Sequence, residues 1–229
     1  MDNTTLLNSI SYRARALEAS KIREVAELGM KQDGVLPLWF WKGDGSILRS
    51  SGQVMESPHW ADDMGEEPEI AGIYLNGKNG QPFRLGYALA NELSDHVMER
   101  KNYLFLSHSK LRVCGLGPEL LVGDLPSDVQ GMSRIYRGGE VLWERPFVSG
   151  EDNMTHALSN LEYHHFKYPL FRQPGRVNVH VFGTATLSFV DGITLQDNDI
   201  MEIDCPQFGR PLRNPVRTQH IDGPTVFQL

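Results

Sequence analysis

Two Asn-Gly pairs, Asn76-Gly77 and Asn79-Gly80, stand between two runs of strand-forming residues, Ile70–Leu75 and Phe83–Leu89. Asn and Gly tolerate the positive φ that tight hairpin turns need, so such pairs mark the reversal between two strands. Strands joined at hairpin distance pair antiparallel, which argues against a parallel sheet built from strand–helix–strand units. A second hairpin is expected where Arg134–Tyr136 and Val141–Trp143 flank Arg137-Gly-Gly139. Further strands are expected over Leu116–Val122, Val177–Phe182 and Ile200–Asp204. The aromatic extended run Leu36–Trp41 belongs to the core or to a subunit interface. Helices are few. One is expected from Leu6 to about Met30, where Leu7, Ile10, Ala14, Leu17, Ile22, Val25 and Leu28 recur at roughly helical spacing. A short one falls over Leu93–Tyr103, and a third over Asn153–His165 behind a capping box at Ser149–Asp152. Residues 51–66 are polar and turn-rich, a loop leading into the next strand. The expected class is α+β, predominantly β.

A chain of 229 residues, 40% hydrophobic and 22% charged, can bury one sizeable core. Its net charge of −7 and lack of a basic block give no support to a nucleic-acid partner. No stretch reaches the roughly 18 apolar residues of a membrane span. The N-terminus lacks a basic-then-apolar signal, so no membrane partner and a cytoplasmic location are expected. Cys114 and Cys205, far apart in the chain, fit two unpaired thiols in a reducing compartment.

The chemistry concentrates around Gly-Glu-Glu-Pro-Glu-Ile, residues 65–70. Strand side chains alternate faces, so Glu67 and Glu69 at i, i+2 fall on one side. Two such carboxylates repel unless a cation, a proton or a basic side chain sits between them. Glu92 lies just beyond the hairpin, and Lys110 follows. Three hard oxygen donors and an ammonium suit a divalent metal that holds a keto acid; an exposed acidic turn is the bland alternative for the glutamates alone. His156, His164 and His165 fall on one helical segment, but adjacent residues point about 100° apart, which favours polar packing or contacts at a substrate's edge. Lys42 either approaches the ligand or pairs with an acid. Arg210 and Arg213 serve structure or subunit contact.

The order of motifs resembles the fumarylacetoacetate hydrolase superfamily over residues 36–217. The pieces are Trp39-Phe-Trp-Lys42, Glu67-Pro-Glu69, Gly86-Tyr-Ala-Leu-Ala-Asn-Glu-Leu-Ser94, Lys110 ahead of Cys114-Gly-Leu-Gly-Pro118, Arg137-Gly-Gly-Glu140, Val181-Phe-Gly-Thr-Ala185 and Gly209-Arg-Pro-Leu-Arg-Asn-Pro-Val216. More narrowly, the chain is similar to the sugar-acid branch. The resemblance implies a mixed β-roll catalytic domain over 36–229, and the helical spacing ahead of it makes 1–35 a helical N-terminal segment. It implies a Mg²⁺ (or Ca²⁺, or Mn²⁺) site made by Glu67, Glu69 and Glu92. Lys110 would steady an enolate or carbonyl oxygen, and Thr184 with Gly183 would help bind a substrate carboxylate. It also implies a 2-oxo acid substrate and a homodimer or higher oligomer. From an enolate at C3, either a C4 hydroxyl leaves as water or a 2,4-diketone is cleaved by water.

Three departures from the pattern bear on that choice. The third metal ligand is usually Asp; here it is Glu92. In Ser94-Asp95-His96-Val97-Met98-Glu99, His96 stands where an Arg is usual and Glu99 where a water-positioning Gln is usual. At i, i+3 these two share a helix face, where Glu99 would orient His96 for proton transfer; a solvated face is the alternative. Loss of that Gln favours dehydration of a 2-keto-3-deoxy acid over C–C hydrolysis. The first histidine is His59, and residues 1–35 match no lid bearing a His and a Glu. A catalytically impaired member kept for binding or assembly is therefore a third reading.

Overall fold

A computed structural model describes residues 36–229. The helix expected over Leu6–Met30, and the segment 1–35 as a unit, lie outside the described residues. The rest is mainly β, arranged as two mixed sheets, as the strand pattern predicts. In the first, β1 (Leu48–Ser50), β5 (Cys114–Leu116), β4 (Pro82–Glu92), β3 (Pro68–Asn76) and β9 (Val177–Val181) lie side by side in that order. A short β6 (Leu121–Val122) also pairs with β4. The second runs β2 (Met55–Pro58), β11 (Leu212–Gln219), β10 (Ile200–Asp204), β7 (Val129–Arg137), β8 (Glu140–Ser149).

Both expected hairpins form. β3 and β4 pair antiparallel from Asn76–Pro82 back to Pro68–Asn91. β7 and β8 turn through Gly138 and Gly139, at φ 62° and 93°. Two successive positive φ values are what a two-residue hairpin needs to match the twist of its strands, and glycine takes them without a Cβ penalty.

The main core lies between the sheets. Ile70, Tyr87 and Leu89 of the first sheet meet Val129, Phe147, Ile203 and Leu212 of the second, all at most 1% exposed. Each such side chain contributes about 1.5–3 kcal/mol through burial. Since Ile70 points into this core, strand alternation turns Glu69 and Ala71 to the opposite face of β3. That one-residue offset puts the acidic side chains outside the apolar core.

Four local expectations need correction. Residues 51–66 are not all loop: Met55–Pro58 forms β2, paired in parallel with β11. Its partner lies some 160 residues away, so no local turn announces it. The strand expected over Leu116–Val122 is broken into β5 and β6 around Gly117-Pro118, where proline offers no N–H to a ladder. Between β4 and β5, the expected helix divides. α1 (His96–Lys101) is capped by Asp95 through Met98 N, at 2.9 Å. A 3₁₀ turn and the one-turn α2 (Leu106–Ser109) follow it. Finally, α3 spans Leu158–Phe166, not Asn153–His165. Asn153 spends its amide on Asp128 and the Ser149 carbonyl, and Glu151 accepts from Leu158 N at 2.8 Å.

Trp39 packs against His165, Tyr168, Phe171 and His180 at centroid distances of 5.4–6.2 Å, while Trp41 is 63% exposed. His165 thus serves packing, stacked on Phe166 at 4.2 Å. Arg210 and Arg213 pair within the chain, with Glu119 at 2.7 Å and Glu202 at 3.1 Å. Both cysteines are buried and free.

Candidate metal centre

Three carboxylates converge. Glu67 stands immediately before β3 and Glu69 is its second residue, while Glu92 ends β4. The pairing of the two strands runs one step past the ladder, with Glu92 N donating to the Glu67 carbonyl at 3.1 Å. Glu69 lies opposite Ala90, so Glu92 two residues on faces the same way. One carboxylate oxygen from each of the three lies within 4.8 Å of the other two, and all three side chains are buried. Among the described residues no other group of three acidic, His or Cys side chains is close enough to hold an ion.

Basic groups ring this cluster. Lys110 Nζ contacts Glu67 Oε1, donates to Ser94 Oγ at 3.1 Å, and stands 3.8 Å from Glu92 and 3.5 Å from Glu99. Lys42 Nζ lies 3.2 Å from Glu92 and donates to the Lys110 carbonyl. Lys42 thus pairs with an acid at the centre itself, and it also lines the groove. His96 Nε2 is bonded to Glu67 Oε1 at 3.0 Å, and its Nδ1 faces Asp63 at 3.6 Å. Its carboxylate partners are therefore Asp63 and Glu67; Glu99, three residues along α1, faces Lys110 instead.

The charges are unevenly relieved. Burial pushes the Glu67 carboxyl up, but His96 and Lys110 bring it down to about 2. Burial, then the charges of Glu92 and Glu67, push Glu69 well above the usual carboxylate range. Glu92 is also raised, by burial first, with Lys42 and Lys110 opposing. Burial lowers His96, yet Asp63 and Glu67 outweigh it and raise the imidazole to about 9. Burial likewise opposes the charge on Lys110, and the surrounding glutamates overcome it. Glu69 has no ion pair among the described residues and accepts one hydrogen bond, from Gly183 N. Three hard oxygen donors, one of them buried without an ion pair among the described residues, fit a small divalent cation such as Mg²⁺ or Mn²⁺.

All nine residues singled out from sequence line one open groove: Lys42, Glu67, Glu69, Glu92, His96, Glu99, Lys110, Gly183 and Thr184. Sequence reading missed Asp63, for which no signal existed, and Glu66. Glu66 is fully buried and held by Ser188; its place one residue from Glu67 put it on the other face.

No protein-family profile matches this chain. No curated protein matches it either. Solved structures do. A 2-keto-3-deoxy-D-arabinonate dehydratase complexed with magnesium and 2,5-dioxopentanoate overlays with a TM-score of 0.69 at 24% identity, covering 82% of this chain and 65% of that one. The chain thus spans just under two thirds of that protein's length. A 5-carboxymethyl-2-hydroxymuconate delta-isomerase from Mycobacterium smegmatis overlays at 0.55 and 22% identity, over 76% of this chain and 66% of that one. A 2-hydroxyhepta-2,4-diene-1,7-dioate isomerase from Mycobacterium marinum does so at 0.58 and 17%, over 82% and 72%. The fold is that of the fumarylacetoacetate hydrolase superfamily, as the motif order implies. Among the described residues, no helix is long and apolar enough to cross a membrane.

Proposed function

We propose that this protein is a divalent-metal-dependent enzyme that acts on a 2-oxo sugar acid, dehydrating a 2-keto-3-deoxy acid. The observation that carries this reading is the convergence of Glu67, Glu69 and Glu92 beside a charged, buried Lys110. A cation held by these three carboxylates would supply Lewis-acid polarisation of the substrate's 2-oxo group. Lys110 brings a fixed positive charge to the oxygen on which negative charge develops when C3 loses its proton. Thr184 holds the substrate carboxylate at the groove's edge, and Gly183, whose N–H goes to Glu69, sets the place of Thr184. His96, kept protonated between Asp63 and Glu67, orients Glu67 and does not serve as a base near neutral pH. Glu99 is the carboxylate on the groove side of Lys110, and it takes the C3 proton and returns it to the departing C4 hydroxyl, releasing water. The similar structures, one of them a magnesium complex of a dehydratase, support the same class of chemistry. Assembly as a homodimer or larger oligomer belongs to this reading.

The test is to incubate purified protein and Mg²⁺ with 2-keto-3-deoxy acids and with 2,4-diketo acids. Loss of water from the former, abolished by Glu69→Ala, is the expected result. Cleavage of a 2,4-diketo acid to pyruvate without dehydration would replace the dehydratase reading with the hydrolase one. No turnover of either class, with Mg²⁺ bound, would point to an impaired member with a binding role.

A further inference from the structure

Glu66 is buried to 0% exposure, yet among the described residues it has no lysine or arginine partner. A carboxylate in that position is costly unless its oxygens are hydrogen-bonded. Both are, and by one residue 122 positions away: Ser188 N donates to Oε1 and Ser188 Oγ to Oε2, each at 2.7 Å. Ser188 ends a loop that follows β9, passes Gly183 and Thr184 and enters a short 3₁₀ turn.

The same loop is attached at two more points, each to a neighbour of Glu66. Gly183 N donates to Glu69. The ring of Phe189 lies over His96 at 5.2 Å, and His96 in turn bonds Glu67. Glu66 and Glu69 directly, and Glu67 through His96, therefore fasten three points of one loop. The residues in between are held otherwise: Thr184 Oγ1 accepts from Thr186 N at 3.2 Å, and Thr186 Oγ1 donates to the Pro146 carbonyl at 3.0 Å. Alternation along the strand divides the work. Glu67 and Glu69 turn towards the groove, and Glu66, on the other side of the chain, grips the loop from behind.

We infer that Glu66 is a positioning residue: through its paired hydrogen bonds to Ser188 it sets loop 183–189, and with it Thr184, at a fixed distance from the metal-binding carboxylates. It touches neither metal nor substrate. The inference rests on the reading of Thr184, fixed beside Gly183, as the substrate-carboxylate site, and it deepens that reading by naming what holds the site in register.

Glutamine is the discriminating substitution. Its carbonyl accepts from Ser188 N and its amide donates to Ser188 Oγ, so Glu66→Gln keeps both bonds without the charge. Glu66→Ala and Ser188→Ala do not. Hydrogen exchange of the 183–190 amides, Mn²⁺ binding followed by electron paramagnetic resonance, and pyruvate binding to the Mn²⁺ form are measured on all four proteins. In Ser188→Ala, amide exchange across the loop is expected to speed up about tenfold or more and pyruvate affinity to fall about tenfold, with Mn²⁺ affinity within about twofold of the parent. Glu66→Gln is expected to match the parent in all three. Unchanged loop exchange in Ser188→Ala overturns the inference, even if Glu66→Ala fails to fold. So does a Glu66→Gln protein as loose as Ser188→Ala, which would mean that the charge and not the bond pair matters. Failure of the parent to bind pyruvate would instead strike the proposed function, and loop exchange would still decide the role of Glu66.

Discussion

Glu69 is where burial and charge conflict most directly. Buried, flanked by two other carboxylates and without an ion pair among the described residues, it holds its proton well above the usual range. A cation must displace that proton, so metal affinity should fall by up to about tenfold per pH unit below the raised pKa. Calorimetry in two buffers of different ionisation heat should show about one proton released per ion bound at the acidic end. Glu69→Gln removes both the charge and the titration. Mn²⁺ affinity is expected to drop by about 100-fold and the proton release to vanish. Equal proton release in parent and variant would mean that another group titrates. The Glu-x-Glu spacing made this pair legible in the sequence. The raised pKa was not, because it depends on Glu92 arriving from the next strand and on the exclusion of water.

The glutamate strand and the start of α1 meet at an unusually close approach. Gly65 and Ser94 form an isolated antiparallel bridge, and a Cβ on Gly65 would overlap Nδ1 of His96. His96 is pinned between Asp63, Glu67 and Phe189, so it has little room to yield. Gly65→Ala should therefore push the imidazole off Glu67 and cost about 1–3 kcal/mol of stability. The His96 resonance should then titrate nearer 6.5 than about 9, which NMR across pH would show. Retention of the raised value would mean that the ring relaxes without leaving its partners. The order of β3, hairpin and β4 could be read from Asn-Gly turns and strand-forming runs. The His96–Glu99 pairing read from helical spacing was not realised, because α1 is short and tertiary neighbours supply stronger partners: Asp63 for His96, Lys110 for Glu99.

At the scale of the entire domain, acid and the ion both relieve the carboxylate cluster, while acid works against folding at a buried histidine. Raised folded-state pKa values at Glu69 and Glu92 mean that stability is lost as pH rises through them, once the clustered carboxylates ionise. A divalent cation relieves that repulsion and binds only the folded chain. At 100 times its Kd, Mg²⁺ should add about 2.7 kcal/mol, seen as a higher Tm that the chelator EDTA reverses. An unchanged Tm at saturating Mg²⁺ would count against a folded-state site. His180 works the other way. Burial holds its imidazole down at about 3, so the folded protein excludes a proton that the unfolded chain takes up below about 6.5. Its contribution is whole above that value and falls by at most about 1.4 kcal/mol per pH unit below it. His180→Phe should flatten the loss of stability between about pH 6 and 4 in chemical denaturation; the same slope as the parent would assign that loss to other groups.

Local signals carried the elements and the donor set. Alternating apolar residues, glycine-bearing turns and an i, i+2 acidic pair act over a few residues, and chain geometry alone turns them into strands, hairpins and a shared face. What they left open was everything set by contacts distant along the chain. β2 exists because β11 comes alongside it, and Lys42 reaches Glu92 across 50 positions. The grip of Ser188 on Glu66 spans 122. Such pairings cost loop-closure entropy that only the assembled core repays, so they belong to the folded molecule and leave no pattern in the residues that make them.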